Sequence, residues 1–261
     1  TAATSEHGLL APFGDAPTVG VGGITVGGGV GYLTRKLGMT IDSLLEVEIV
    51  TADGNIVRAN ETEHPDLFWA VRGGGGNFGV ITELEFRLHP VDMVLGGPLF
   101  LRATRDTVRG VIELTQNAPE DLTTISAVMR VFPNPMMPPA VHNQLALMVI
   151  PVWAGDLEAG QQVLAPFRAL ATPFADFIHP TPFIGMYEGE HPPRMTNYVR
   201  SMLMESIDDA AIDSMLAHFD EDRLPKSEAM KVVQIRVLGG AMARVPSDAT
   251  AFSHRSANLL F

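Results

Sequence analysis

None of the 261 residues is cysteine. This excludes disulfides, iron–sulfur clusters, thiolate zinc and a cysteine nucleophile from the chemistry of this chain. No apolar run reaches the roughly 18 residues that a bilayer span requires, so no membrane association is expected. The first residues show no basic–apolar leader pattern, and a cytoplasmic location is the expectation. Basic residues are few. With 18 Lys and Arg against 30 Asp and Glu the net charge is −12, and no Lys/Arg cluster offsets it, which argues against a nucleic-acid partner. The eight histidines fall at no H-x-x-x-H or H-x-x-E-H spacing, so no metal site is expected. A G-x-S-x-G elbow and a Gly-Lys-Ser/Thr phosphate loop are also missing. What remains is 46% apolar residues and a mean hydropathy of +0.16, enough for a large core in one or two domains.

Both ends read as cut from something longer. Thr1 to Leu10 (TAATSEHGLL) resembles the middle of an amphipathic helix running into a loop. Leu259, Leu260 and Phe261 resemble a strand stopped short. The expectation is a fragment.

Glycine is concentrated in two places, residues 20–31 (GVGGITVGGGVG) and 73–79 (GGGGNFG). Between them SLLEVEIV (43–50) predicts a strand, turned at Ala52 to Asn55 into Ile56–Ala59 as a hairpin. Pro65 and Asp66 predict a short helix with Leu67, Phe68, Ala70 and Val71 on its apolar side. Val80 to Leu88 alternates, which predicts Val80, Thr82, Leu84, Phe86 and Leu88 on one face and Ile81, Glu83, Glu85 and Arg87 on the other. A boundary is expected near His89-Pro90-Val91. Beyond it the pattern predicts strands at 94–103, 122–132, 144–152 and 231–238, and helices at 105–117, 156–170 and 207–219. The proline-rich segments 132–139 and 172–193 are expected to be irregular.

Glycine clusters let backbone approach a ligand closely and present amides to phosphate oxygens. They also make tight turns that touch no ligand. Gly74-x-Gly76-x-x-Gly79 has the letters of a Rossmann fingerprint, but a helix precedes it and a strand follows, the reverse of what that motif needs. Two dense clusters flanking a hairpin and a helix favour a cofactor cradle of another kind.

Four stretches resemble one family. These are residues 16–31 (APTVGVGGITVGGGVG), 44–54 (LLEVEIVTADG), 63–80 (EHPDLFWAVRGGGGNFGV), and 239–245 with 249–255 (GGAMARV, ATAFSHR). They are similar, in this order, to the berberine-bridge-enzyme-like oxidases of the vanillyl-alcohol-oxidase, or PCMH-type, flavoprotein superfamily. The resemblance implies an α+β fold: the second lobe of an FAD-binding domain over residues 1–91, then a substrate domain over 92–261 with an antiparallel sheet backed by helices. It implies FAD as cofactor, hydride transfer from an alcohol, sugar or amine C–H to flavin N5, and molecular oxygen as acceptor. A dehydrogenase with another acceptor, or a flavin-free binding or scaffold protein, are the alternatives.

Carried onto this sequence, the cofactor-binding residues are Pro17, Thr18, Val19, Gly20, Gly22, Gly23 and Thr25. Gly28, Gly29 and Gly31 continue that wall, and Gly79 and Val80 meet the adenine end. Family members with doubly attached flavin have cysteine where this chain has Ala16, so a thioether to the flavin is impossible here. Val19 matches the position that gates oxygen, where a small residue goes with oxidases. The family draws active-site polar residues from the strand before the Gly239-Gly240 pair. Alternation there puts Val233, Ile235 and Val237 on one side with Lys231, and Val232, Gln234, Arg236 and Leu238 on the other. Gln234 and Arg236 are therefore catalytic candidates, with solvated sheet residues as the other reading. Tyr198 is a further candidate, with Arg200 beside it. No residue is identified as the base.

Overall fold

The computed structural model describes residues 2–133, 135–187, 198–219 and 231–261, and the chain divides into two units. The first takes its residues from Thr1–Met93, Pro182–Asn197 and Gly239–Ser256. The second takes them from Val94–Thr181, Tyr198–Leu238 and Ala257–Phe261. The chain thus leaves the first unit between Met93 and Val94 and later returns to it, which corrects a simple division at residue 91. The return has a physical cause. Trp69 Nε1 donates to the Asp248 carbonyl (2.7 Å) and Arg72 to that of Ala249 (3.3 Å), while Arg255 is ion-paired with Asp42 (2.8 Å).

The first unit begins with α1 (Ala2–Ser5) and β1 (Leu9–Leu10). The expected amphipathic helix over residues 1–10 is therefore only one turn. Gly8 takes φ +66°, the left-handed conformation that ends helices, and Leu9 and Leu10 then pair with Pro90 and His89. Next come α2 (Val21–Val26), α3 (Thr34–Leu37), β2 (Leu44–Val50), β3 (Ile56–Asn60), α4 (Pro65–Val71), β4 (Val80–Phe86) and β5 (His89–Pro90). The three longer strands form an antiparallel sheet in the order β3-β2-β4. Its hairpin is tied by Asp53, whose carboxylate accepts from Thr51 Oγ1 (2.5 Å) and Asn55 Nδ2 (2.6 Å). Those bonds hold its carboxyl below the ordinary range, Thr51 contributing most. Phe68 and Val71 of α4 bury against Leu44, Val47, Ile49 and Ala59, and this is the unit's local core.

The alternation expected along 80–88 is broken by a bulge. Glu48 pairs with Glu83 but Ile49 with Ile81, so Thr82 is the extra residue. Ile81, Leu84 and Phe86 consequently pack toward the core, and Val80 is 69% exposed. Strict alternation fails because one inserted residue switches every side chain before it to the opposite face.

His89 closes this unit's small second sheet, with Leu10 as its partner in register. Its Nε2 lies 2.9 Å from Ser43 Oγ. Burial, and then the neighbouring Arg87 charge, push the imidazole below its ordinary pKa. A depressed pKa means that the folded state binds this proton less readily than the unfolded chain does. The associated stability is complete above the unfolded value of about 6.5 and is lost as pH falls through the folded value. Acid titration of the wild type should therefore show a loss of thermal stability beginning below pH ~6.5. His89→Gln should flatten that step, and an unchanged step would assign it elsewhere.

The second unit carries β6 (Met93–Gly96), β7 (Leu99–Arg102), β8 (Leu122–Arg130), β9 (Leu145–Trp153), β10 (Ala175–Asp176), β11 (His179–Pro182), β12 (Leu203–Met204), β13 (Val232–Val237) and β14 (Leu259–Leu260). Among the described residues these form one sheet with the path β10-β7-β9-β8-β13-β14-β12, and β6 pairs with both β9 and β11. The single strand expected at 94–103 is two, split at Gly97-Pro98. The split is matched across the ladder. Val149 pairs with Leu99 of β7, and Val152 pairs with Gly96 of β6. Pro151, in the middle of a central strand, sits in that gap, where its missing amide deprives no neighbour. The proline-rich stretch 172–193, expected to be irregular, contains the short strands β10 and β11 before entering residues outside the described set.

Among the described residues three helices accompany the sheet: α5 (Arg105–Asn117), α6 (Leu157–Ala169) and α7 (Asp209–Ala217). Each starts where a side chain accepts from an opening amide: Thr104 from Thr107 N, Asp156 from Ala159 N, Asp208 from Ala211 N. Val108, Val111 and Ile112 of α5, Leu164 and Phe167 of α6 and Ile212 of α7 meet Leu99, Leu101, Leu122, Val128, Leu147, Val149, Ile235 and Val237 of the sheet. One face of the sheet is thereby closed by helices. The alternate residues, Gln234 and Arg236 among them, point to the other face. The class is α+β, with an antiparallel sheet backed by helices.

Candidate cofactor site

The first glycine cluster follows a turn in which Val19 N donates to the Ala16 carbonyl (3.2 Å). Its base is pinned from behind. Tyr187 donates its hydroxyl to the Gly14 carbonyl (2.8 Å) and packs edge-on to Tyr32 at 5.7 Å. Burial drives the Tyr187 phenol well above its ordinary pKa, so it stays protonated and donating.

Residues 16–23 are all exposed, with Val19 at 50%. Gly20 is extended (φ −68°, ψ 139°) and caps α2. The amides of Val21, Gly22 and Gly23 open that helix and have no carbonyl to reach within it. A Cβ added at Gly20, Gly22 or Gly23 would meet no protein atom within 4 Å. Nothing among the described residues therefore requires glycine at these three positions. A ligand lying against the backbone would, because a side chain there would hold it off. Pro17 and Thr18 share the exposed ledge.

Other predicted residues have different surroundings. Thr25 is fully buried and donates its hydroxyl to the Val21 carbonyl (2.7 Å). Gly28 N donates to Thr25 O (3.0 Å) and Gly31 N to Thr34 Oγ1 (2.8 Å), so these amides are spent inside the protein. A Cβ at Gly28 would press on Met39 and the Phe252 ring, and one at Gly29 would overlap the Thr40 side chain. Protein packs on Gly28, Gly29 and Gly31, so their lack of a side chain does not by itself point to a ligand. Gly79 likewise abuts the Val50 carbonyl, with the exposed Val80 next to it.

The structure joins the two clusters. Gly75 N donates to the Val26 carbonyl at the end of α2 (3.0 Å). Gly76 is exposed with open space at its Cα, so it belongs with Gly20, Gly22 and Gly23, and the sequence reading missed it. In sequence Gly76 is one of four consecutive glycines, and only the surroundings distinguish it from Gly73 and Gly74.

The catalytic candidates lie in the second unit. Gln234 is opposite Ala127 and Arg236 opposite Ile125 on β8. Arg236 donates to Gln234 Oε1 (3.1 Å), so this pair forms a polar spot in an otherwise apolar stretch. Tyr198 is 84% exposed. Its hydroxyl accepts from Arg200 (2.6 Å), whose guanidinium carbon stands 5.0 Å from the ring centre. The candidates thus come as two pairs, each made within the second unit. Among the described residues no group of three or more His, Cys, Asp or Glu could hold a metal ion, and no helix is long and apolar enough to cross a membrane.

Comparison with known proteins bears on the ledge and on the fold. Residues 1–60 match the FAD binding domain family. The chain is 31% identical over 263 residues to the FAD-linked oxidoreductase YgaK of Bacillus subtilis, covering 97% of this chain and 55% of that protein. Among solved structures it superposes on glucooligosaccharide oxidase from Acremonium strictum, a protein with 6-S-cysteinyl, 8α-N1-histidyl FAD. The TM-score is 0.81 at 26% identity, covering 99% of this chain and 56% of that one. It also superposes on the Physcomitrella patens BBE-like 1 protein, with TM-score 0.79 at 23% identity, covering 99% and 57%. The chain spans about half the length of the relatives it matches.

Proposed function

We propose that this chain is part of a PCMH-type, berberine-bridge-enzyme-like flavoprotein with FAD as cofactor, an oxidase acting on a small alcohol, sugar or amine; the FAD binding domain match and the FAD-linked relatives support this reading. The observation that carries this reading is the exposed ledge of Gly20, Gly22 and Gly23. Its backbone lies open where the protein itself gives glycine no reason to be. These residues fit FAD: the amides of Val21, Gly22 and Gly23 would donate to phosphate oxygens, and Pro17, Thr18 and Val19 would offer an edge for the ring system. Bound FAD supplies the hydride acceptor and the route by which electrons reach oxygen.

The residues of the chain have the remaining tasks. Arg236, aligned by Gln234, supplies positive charge and hydrogen bonds that orient a polar substrate on the side of the sheet turned from the helices. Tyr198, with Arg200 on its hydroxyl, is a second polar anchor. The sugar oxidase among the structural relatives supports a carbohydrate substrate, and the half-exposed, modestly sized Val19 supports oxygen over another acceptor.

Rapid mixing tests the proposal in the full-length protein. Anaerobic addition of an oligosaccharide, alcohol or amine should bleach the flavin absorbance, and air should restore it. Val19→Leu should slow the restoration about tenfold, equivalent to ~1.4 kcal/mol on that barrier, with bleaching unaffected. Bleaching that air does not reverse would make the protein a dehydrogenase. A purified protein without flavin would return the reading to a scaffold.

A further inference from the structure

We propose that Phe252 is the positioning residue that fixes the two glycine loops against each other and so sets the affinity of the ledge for FAD; this rests on the flavin reading above. Phe252 touches both loops. Its ring lies against Gly28, where an added Cβ would come within 3.1 Å of Cδ2, and its backbone lies against Gly73, where an added Cβ would come within 2.6 Å of its N and Cβ. Both neighbours are glycine, with φ +112° and +113°. A side chain at either position would push the ring or the backbone of Phe252 away. The pairing is therefore specific: two loops 45 residues apart have each given up a side chain where the same residue meets them.

Phe252 is itself held from three directions. Its amide donates to the Arg72 carbonyl (3.3 Å) and that of Ala251 to the Trp69 carbonyl (3.2 Å), which fastens the segment to α4 just ahead of the second glycine loop. Arg255 lies 5.6 Å from the ring centre and donates to both oxygens of Asp42 (2.8 Å each) and to Thr250 Oγ1 (2.9 Å). Asp42 in turn accepts from Met39 N (2.8 Å). The turn so fixed sends Thr40 N to the Gly29 carbonyl (2.9 Å) and Ile41 N to the Gly28 carbonyl (3.2 Å). The outermost bonds of this chain end on the backbone that follows the ledge, at Gly28 and Gly29, and on α4, at Trp69 and Arg72. None of these residues belongs to the ledge, so they act on the cofactor only through where they hold it.

The test uses the full-length protein prepared without flavin and titrated with FAD, following the quenching of flavin fluorescence. Phe252→Ala should raise the dissociation constant about tenfold or more, at a temperature where its circular dichroism matches the wild type, and should shift the visible flavin spectrum. Phe252→Leu keeps the apolar volume without the ring, and it should melt within a few degrees of the wild type yet still bind FAD more weakly. A residue that only fills a core would lower the melting temperature and leave the affinity and the spectrum of the folded protein alone. That result with either variant overturns the proposal. If Phe252→Ala fails to fold, Phe252→Leu decides alone. Wild-type protein that takes up no FAD would instead remove the flavin reading, and this proposal with it.

Discussion

Alanine in place of Gly31 should leave the first unit unable to fold, although the change adds one methyl group. A Cβ there would overlap the Phe13 carbonyl oxygen and stand 2.8 Å from Gly14 Cα. Both are backbone atoms, so no side chain can swing aside. Insertions into packed cores usually cost ~1–3 kcal/mol and more where backbone must shift. Against a total stability of ~5–15 kcal/mol, it is the further cost of displacing backbone, beyond that range, that would empty the native state of a marginal unit. Gly22→Ala makes the contrast. It adds the same methyl in open space within α2, where alanine is the better helix former by ~1 kcal/mol. Urea titration should therefore find Gly22→Ala as stable as the wild type or more so, and Gly31→Ala unfolded or several kcal/mol weaker. FAD titration should show the cost of Gly22→Ala that urea does not. Equal stability for Gly31→Ala would mean that the loop has room the packing denies.

The second large effect concerns the ion pair of Asp42 and Arg255, whose side chains are 10% and 3% exposed. Removing one partner strands a charge that the protein has already stripped of water, at a cost of ~3–5 kcal/mol. Asp42→Ala should accordingly lower the unfolding free energy by about that amount. Replacing both, as in Asp42→Leu with Arg255→Met, should recover a good part of the loss, since two apolar groups leave no orphan charge. Recovery should stop short of the wild type, because the Met39 amide also loses its acceptor. A double variant no better than the single would assign the stability to that amide and not to the pair. The surface ion pairs of the second unit make a useful control. Arg105 with Asp213 and Arg109 with Asp209 are roughly half exposed, and removing either carboxylate should leave the urea midpoint nearly unchanged.

The helices of the second unit were legible because periodicity and caps agree: Thr104, Asp156 and Asp208 each stand one residue before an amphipathic run. The three-stranded sheet of the first unit was legible for the same reason, up to Thr82. A bulge leaves no mark in composition, so the faces of Val80 and Ile81 were assigned in reverse. The split at Gly97-Pro98 was visible as a pair of breakers, but its meaning lay 50 residues away in Pro151. The glycine clusters announced a close backbone approach without saying by what. Glycine is required equally by a ligand and by a neighbouring side chain, and only the surroundings tell Gly22, facing open space, from Gly28, facing Phe252. Residues 249–255 were matched as a motif without a role, since their partners Asp42 and Arg72 lie far off in sequence. Gln234 and Arg236 were placed by alternation on the face turned from the helices, where the structure has them. Tyr198 had no such pattern behind it.

The return of residues 248–255 to the first unit bears on how the protein is made. Trp69 and its acceptor Asp248 are 179 residues apart. At translation rates of ~5–20 residues per second, the donor waits roughly 10–35 s on the ribosome before its partner exists. During that interval the strands from β6 to β13 can pair, with their own hairpins and helices, while the glycine ledge lacks the segment that braces it and β14 is still to come. A nascent chain halted before residue 248 therefore lacks both the acceptor of Trp69 and the Arg255 partner of Asp42, and the first unit closes only when this late segment arrives.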